Sequence, residues 1–233
     1  MNPQYAWSPN NFDAEILGVN VAKITTVNDL GSIKKMLIEL ADNKIEYAHY
    51  RLKSNEIEII QELERNGFIF VDGTIAFINE NLGNDDRINS IRLVDPKEIE
   101  NLKEIASTFH GTRFFNDSRI DKRTATEIYK RWIENSVKDE TVQVFVYTDD
   151  EKISGFVTVQ DDHIVLIAVK SEMQGRGIGK KLVKHALAVI KKNGFNSAYI
   201  ETQMQNIPAI GAYISNGFKV LDTYVTLAWG KTP

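Results

Sequence analysis

The stretch QGRGIGKK, residues 174–181, is the densest glycine run in the chain. Glycines that alternate with larger residues ahead of a helix let backbone N–H groups converge on a ligand, most often an anion. Spacing excludes two familiar anion loops. A Walker loop needs G-x-x-x-x-G-K followed by Ser or Thr. Here Gly175 to Gly179 is one residue short, and Lys181 stands where the hydroxyl belongs. A dinucleotide fingerprint needs G-x-G-x-x-G, and here the third glycine comes one residue early. What the stretch does fit is Q-x-x-G-x-G, carried by Gln174, Gly177 and Gly179.

Composition narrows the classes around this loop. Of 233 residues, 42% are apolar, enough for one large core or two modest ones. The 28 basic and 32 acidic side chains give a net charge of −4, which argues against a general nucleic-acid binder. With no cysteine, disulfides, thiolate metal sites and a thiol nucleophile are excluded. The histidines (His49, His110, His163, His185) show no ligand spacing, so no metal is expected. The opening MNPQYAWSPNNFD has no apolar h-region, and the longest apolar run, IVLIAV at 164–169, is far too short for a membrane span. The expectation is a cytoplasmic protein with neither nucleic-acid nor membrane partners.

From position 87 onward the pattern reads as one α/β unit. RINSIRLV (87–94) alternates like a strand, Asp95-Pro96 opens a helix, 110–123 is a polar loop, and TATEIYKRWIENSV is amphipathic. Strands are expected near 142–148, 152–160 and 163–169. A helix over 177–192 stops at Asn193-Gly194, and the strand SAYIETQ, a helix over 207–216 and two closing strands follow. The order is β-α-α-β-β-β-α-β-α-β-β, with the glycine loop between the fourth strand and the third helix. Further on, NIPAIGAYISNGF (206–218) places Asn206, Ala209 and Tyr213 on one helix face at i, i+3 and i+7.

Loop, element order and the N-x-x-A-x-x-x-Y spacing together resemble the GNAT acetyltransferase superfamily. The resemblance implies an α/β GNAT acyl-CoA-binding fold, a mixed and mostly antiparallel sheet with flanking helices, and acetyl-CoA as donor. It assigns the pyrophosphate to Gln174, Gly175, Arg176, Gly177, Ile178, Gly179 and Lys180. It assigns pantetheine to the main chain of Ile167, Ala168 and Val169, flanked by Asn206 and Ala209, with an N–H near Val169 facing the thioester oxygen. Tyr213 is assigned to the thioester sulfur, and the loop between the first two helices, with Arg113 and Phe114, to the acceptor. Plain structural readings stand beside these: Arg176 and Lys180 on a solvated helix face, 164–169 as a core strand, Tyr213 as a core tyrosine, Phe114 tucked inward.

Residues 1–86 carry a second pattern. Asn66-Gly67-Phe68 and Asn216-Gly217-Phe218 are 150 positions apart, Asp72 matches Asp222, and Ile75 and Phe77 match Val225 and Leu227. A strand at 45–52, a helix at 55–66 and strands at 68–71 and 74–79 repeat the tail of the second half. The expected organisation is a partial GNAT-like domain over 1–86 without a cofactor loop, then a catalytic GNAT domain over 87–233. Only Gly31 stands where a glycine loop belongs, and Leu63 sits at the offset of Tyr213. The competing explanation is that any helix–glycine–strand junction yields Asn-Gly-Phe, as Asn193-Gly194-Phe195 does at a different junction.

For the acceptor, TRFFND, IYKRWIENSV, GFVTV, IAV, QGRGIG and ETQMQNIPAIGAYISNGF are similar to the dTDP-fucosamine acetyltransferase branch, as is the opening WSPNNFDAEILGVNVAKI. That branch implies a nucleotide-linked amino-deoxy sugar as acceptor and leaves a homodimer open. The chain departs from it at Asp117-Ser118, where the branch tends to carry Asp-Pro. Proton energetics point the same way. Freeing the lone pair of a lysine-like amine at pH 7 costs roughly 4–5 kcal/mol, against about 1 kcal/mol for an amine near 8. No strong base is evident; Glu201 is the candidate, acting through water, and a solvated strand-end glutamate is the alternative. Acetylation of a protein N-terminus or other small primary amine, and non-catalytic sensing of acetyl-CoA, are the competing functions.

Overall fold

The computed structural model describes residues 3–83 and 88–230. The elements in chain order are β1 (Tyr5–Pro9), α1 (Asn11–Leu17), β2 (Val21–Val27), α2 (Ile33–Asp42), β3 (Tyr47–Lys53), α3 (Ile57–Arg65) and β4 (Ile69–Asn79). Next come β5 (Ile91–Leu93), α4 (Ile99–Ala106), α5 (Arg113–Asn116), α6 (Lys122–Lys138), β6 (Val142–Asp149), β7 (Lys152–Gln160) and β8 (His163–Val169). The chain ends with α7 (Ile178–Lys192), β9 (Ala198–Gln203), α8 (Ile207–Ser215) and β10 (Lys219–Gly230). The α/β class and mixed sheet agree with the sequence. The expected junction at 86/87 lies outside the described residues.

By compactness the chain forms two units. One comprises Met1–Thr74, Gly111–Ala125 and Thr223–Pro233; the other comprises Ile75–His110 and Thr126–Asp222. In the second unit the strands lie in the order β9-β8-β7-β6-β5. Strands β5 to β8 are antiparallel neighbours, and β8 and β9 are parallel, joined through α7. The β6–β7 turn places Asp150 and Glu151 both at positive φ, the geometry of a two-residue hairpin whose twist suits the strands. Helix α7 buries Ile178, Leu182, Val183, Ala186, Leu187 and Ile190, a stripe at helical spacing that packs into the same core as Val157, Phe77, Tyr213 and Phe218.

The first unit orders its strands β1-β2-β3-β10. Here β2 and β3 are parallel, and β10 runs antiparallel to β3 from Tyr224–Lys53 to Gly230–Tyr47. Its core gathers Ile24, Met36, Leu40, Leu63, Phe68 and Leu227. The two closing strands expected after α8 are the single strand β10. The Ser54 N–H bonds the Thr223 carbonyl and the two hydroxyls meet, so pairing with β3 begins where a turn was expected. Residues 68–71 and 74–79 likewise belong to one strand, β4, across Asp72-Gly73.

The 150-residue offset is a geometric one. Helices α3 and α8 start at Ile57 and Ile207 and end at Arg65 and Ser215, and β4 and β10 start at Ile69 and Lys219. The caps Asn66 and Asn216 share φ −98°, and Gly67 and Gly217 follow at +88° and +86°. Phe68 and Phe218 each return an N–H to a carbonyl five residues back, on Leu63 and Tyr213, both at 3.1 Å. The offset extends upstream: α2 and α7 end at Asp42 and Lys192. Ile45 and Phe195 there make the same five-residue return, to Leu40 and Ile190.

Candidate active site

Strands β8 and β9 pair only at His163–Tyr199 and Ile164–Ile200, although β8 runs on to Val169 and β9 to Gln203. Beyond those pairs the two strands part. On the β7 side, Leu166 donates its N–H to Thr158 Oγ1 and Lys170 donates to the Ser154 carbonyl. Backbone direction alternates along a strand, so Ile167 and Val169 present their N–H groups to the side from which β9 has diverged. An extended ligand carrying amides can pair there as an added strand. Gln174 Nε2 donates to the Val169 carbonyl at 3.2 Å and ties the glycine loop to the end of β8.

The loop leaves β8 through a short 3-10 turn, Ser171–Met173, with Gln174 extended behind it. Gly175 and Gly177 both hold φ +76°, a conformation L side chains rarely adopt, and Gly177 is the N-cap of α7. No side chain caps that helix, and its first backbone bond is Lys181 N–H to the Gly177 carbonyl. The N–H groups of Ile178, Gly179 and Lys180 therefore have no helical acceptor. Gly179 has ordinary φ, and a Cβ there would meet nothing within 4 Å. The protein's own packing gives no reason for glycine at 179, whereas a phosphate drawn to bare amides does. Arg176 and Lys180 are exposed beside it.

Helix α8 follows β9. Asn206 caps it, its Oδ1 accepting the Ala209 N–H at 3.3 Å, and its Nδ2 donates to Thr202 Oγ1 at 3.1 Å. Pro208 fits the first turn. Tyr213 is 3% exposed, edge-on to Phe77 at 5.7 Å and beside Phe218 at 6.1 Å. Burial pushes its pKa well above the ordinary phenol value. It is a protonated phenol at any physiological pH. Glu201 is exposed, on the strand face opposite Thr202.

From Gly111 onward the 110–123 loop belongs to the first unit, and it holds the unexpected short helix α5. Arg113 Nη2 donates to Asp13 at 2.7 Å, and the guanidinium lies 4.1 Å over the Phe114 ring. Phe114 is only 2% exposed, so its ring backs Arg113 rather than presenting a face to a ligand, in contrast to the role expected from sequence. Arg113 Nη1 and Thr112 Oγ1 are buried without a hydrogen-bond partner. Asp13 also accepts from Asn10 at 2.8 Å and lies 3.5 Å from His49. Burial, reinforced by the Arg113 charge, pushes the His49 imidazole down to about 4, so it is neutral. Burial works against the Asp13 carboxylate, but His49 and Arg113 outweigh it and hold its pKa low. A second buried set joins Asp117 to Arg119 at 2.7 and 2.8 Å and to the Tyr47 hydroxyl at 2.9 Å. No short-range pattern announces these partners; Asp13 and Arg113 are 100 positions apart.

Comparison with known proteins agrees with this geometry. The model of the acetyltransferase (GNAT) family matches residues 101–218. The chain belongs to the GNAT acetyltransferase family. Among curated proteins it is 24% identical to the spore coat polysaccharide biosynthesis protein SpsD of Bacillus subtilis, over 56% of this chain and 47% of that one. It is 25% identical to the dTDP-fucosamine acetyltransferase of Escherichia coli O6:H1, over 179 residues covering 73% of this chain and 74% of that one. It is 33% identical to the peptidyl-lysine N-acetyltransferase YjaB of Salmonella typhimurium, over 40% and 62%. The chain thus spans under two thirds of SpsD and of YjaB. A solved GCN5-related N-acetyltransferase from Sphaerobacter thermophilus shares the fold, with a TM-score of 0.69 at 13% identity, over 99% of this chain and 78% of that one.

Proposed function

We propose that this protein transfers the acetyl group of acetyl-CoA to the primary amine of a nucleotide-linked amino-deoxy sugar. The observation that carries the acceptor is the 179-residue likeness to dTDP-fucosamine acetyltransferase. It is longer than the 101–218 stretch common to GNAT enzymes and therefore includes sequence outside it. In this reading residues 87–233 are the catalytic GNAT domain. Residues 1–86 are a partial copy that has no cofactor loop.

The pyrophosphate sits on the free N–H groups after Gly177, with Arg176 and Lys180 supplying charge. Pantetheine pairs along Ile167–Val169, alongside Asn206 and Ala209, and the Val169 N–H meets the thioester oxygen as it gains charge. The amine attacks the carbonyl carbon, a C–N bond forms, and the C–S bond breaks. Tyr213 hydrogen-bonds the departing thiolate, which needs no full proton from the phenol because a thiol titrates near 8.5 and a phenol near 10. Glu201, through water, takes the proton that the nitrogen sheds. On the acceptor side, Arg113 is the candidate contact for a diphosphate, with Phe114 backing its guanidinium.

The test is thiol release from acetyl-CoA against amino-sugar nucleotides, free amino sugars and peptides. Turnover that depends on the nucleotide diphosphate supports the reading; equal turnover of free amino sugar, or turnover of peptide alone, contradicts it. The peptide arm matters because of the likeness to the peptidyl-lysine enzyme, which covers 40% of this chain. Acetylation of a protein N-terminus or small amine is accordingly the second reading.

A further inference from the structure

Strand β8 holds one residue more than β7 matches. Thr158 faces Leu166 and Val159 faces Ile164, so Val165 has no partner across the ladder, which makes it a β-bulge. N–H groups alternate in direction along a strand, so one extra residue inverts the alternation beyond it. Leu166 donates to Thr158 Oγ1 at 2.8 Å and Lys170 to the Ser154 carbonyl, both acceptors on β7. Ile167 and Val169 therefore turn their N–H groups away from β7. Without the bulge these two would bond β7, and Leu166 and Ala168 would face outward. The place of the extra residue thus decides which amides the end of β8 offers.

The first unit has the same bulge with one part missing. There Ala6 faces Thr26 and Trp7 faces Ile24, so Thr25 is the extra residue of β2. Parallel pairing ends at Ile24–Tyr50 in the first unit and at Ile164–Ile200 in the second, and the extra residue comes next in each strand. Tyr50 and Ile200 are 150 positions apart, so the two bulges fall at the same point of the repeat. Ala6 stands where the second unit has Thr158, and it has no hydroxyl. That bulge is tied instead by Thr25 Oγ1 donating to the Ala6 carbonyl at 3.2 Å, in an exposed bond. Thr158 is 0% exposed and Leu166 6%, so water has little access to replace the hydroxyl. The bulge folds in the first unit without a buried side-chain acceptor. The second unit has one where the strand goes on to Ile167 and Val169.

We propose that Thr158 is a positioning residue whose hydroxyl pins the bulge at Val165 and so keeps the Ile167 and Val169 N–H groups turned toward the acyl donor. This rests on the reading that pantetheine and the thioester lie along the end of β8. Removing the hydroxyl takes an acceptor from a buried N–H, and the strand relieves this by moving the extra residue along β8. A bulge that moves past Ile167 turns that amide back to β7.

The experiment compares the parent with Thr158→Val, which deletes the hydroxyl at nearly constant shape. The readouts are amide hydrogen exchange at Ile167 and Val169, and binding of acetyl-CoA and of 3′-phospho-ADP, the part of CoA that ends at the pyrophosphate. In the parent, saturating acetyl-CoA should slow exchange at both amides by at least about tenfold. In Thr158→Val that protection should be lost. Acetyl-CoA should bind roughly ten- to a hundredfold more weakly while 3′-phospho-ADP stays within about twofold, because the glycine loop is untouched. Thr158→Ser, which keeps the acceptor, should return both readings to within about threefold of the parent. A serine variant as impaired as the valine one, or equal losses for the two ligands, would overturn the proposal. Should Thr158→Val not fold, Thr158→Ala makes the same deletion with the residue that the first unit has in its own bulge. If acetyl-CoA leaves Ile167 and Val169 unprotected in the parent, the placement of the donor along β8 fails and the role of Thr158 fails with it. If parent and Thr158→Val are protected alike, the placement stands and Thr158 does not.

Discussion

The segment ahead of α2 and the segment ahead of α7 occupy the same place in two copies of one supersecondary pattern, yet one is closed and the other open. In the first unit the 3-10 turn Leu30–Ser32 runs straight into α2 at Ile33. In the second, four residues, Gln174 to Gly177, separate the turn Ser171–Met173 from α7. Helix α2 has 10 residues and α7 has 15. The first unit thus lacks the whole glycine loop and more than a helical turn behind it. The β2–β3 pairing also stops early, at Ile24–Tyr50, while β2 runs on to Val27. The corresponding end of β8, Ile167 to Val169, presents its N–H groups to the gap left by β9.

The difference separates what the fold needs from what the chemistry needs. Caps, positive-φ residues and buried phenylalanines recur in both copies, since each junction must satisfy its own backbone. The glycine loop and Tyr213 occur only in the second copy. They are the parts a packing argument leaves over, and they coincide with the parts the GNAT resemblance assigns to catalysis.

The sharpest way to break the comparison is to place the same change in both loops. Gly177→Asp should abolish acetyl-CoA binding, a loss of at least about a hundredfold by calorimetry, since it strains φ +76° and sets a carboxylate on the pyrophosphate. Gly31→Asp, where φ is ordinary, should leave the affinity unchanged. If the two variants behave alike, the loop assignment fails. Next in size, Tyr213→Phe should lower kcat roughly ten- to a thousandfold with acetyl-CoA affinity within a few-fold. The raised Tyr213 pKa adds a sign: the acid form persists as pH rises, so kcat should not lose its hydrogen-bond donor below about pH 10. An alkaline fall near pH 8 that disappears in Tyr213→Phe would contradict it.

Arg113→Ala should raise the KM for a nucleotide-linked acceptor roughly ten- to a hundredfold and leave a free amino sugar and acetyl-CoA nearly unaffected. Equal losses on both acceptors would mean that Arg113 serves only its ion pair with Asp13. The smallest effect concerns stability. His49 in the first unit has a folded pKa of about 4, below its ordinary value near 6.5, so the unfolded chain binds its proton first as pH falls. Its contribution is full above about pH 6.5 and is lost toward pH 4, up to about 3 kcal/mol. Urea melts at pH 7 and pH 4.5 should show a smaller acid loss for His49→Gln than for the parent. An identical loss in both would remove His49 as the cause.

Local signals were legible in the sequence because their causes are local. QGRGIG announced a backbone that must bend and stay bare, and Asn216-Gly217-Phe218 announced a helix stop. Features decided by distant partners were not legible. Nothing near Arg113 points to Asp13, and the inward turn of Phe114 depends on the packing of the first unit. The strand β10 runs unbroken because β3 pairs with it, which Asp222-Thr223 alone does not reveal. Thr202 reads as one more β-branched strand residue until Asn206 is seen donating to it.

The central claim is that two copies of one pattern contain a single cofactor site, and the most direct test is the stoichiometry of acetyl-CoA binding to the intact chain by calorimetry. One equivalent per chain, lost in Gly177→Asp and retained in Gly31→Asp, is the predicted result. A titration that ends near two equivalents, or that keeps one equivalent in Gly177→Asp, would contradict it.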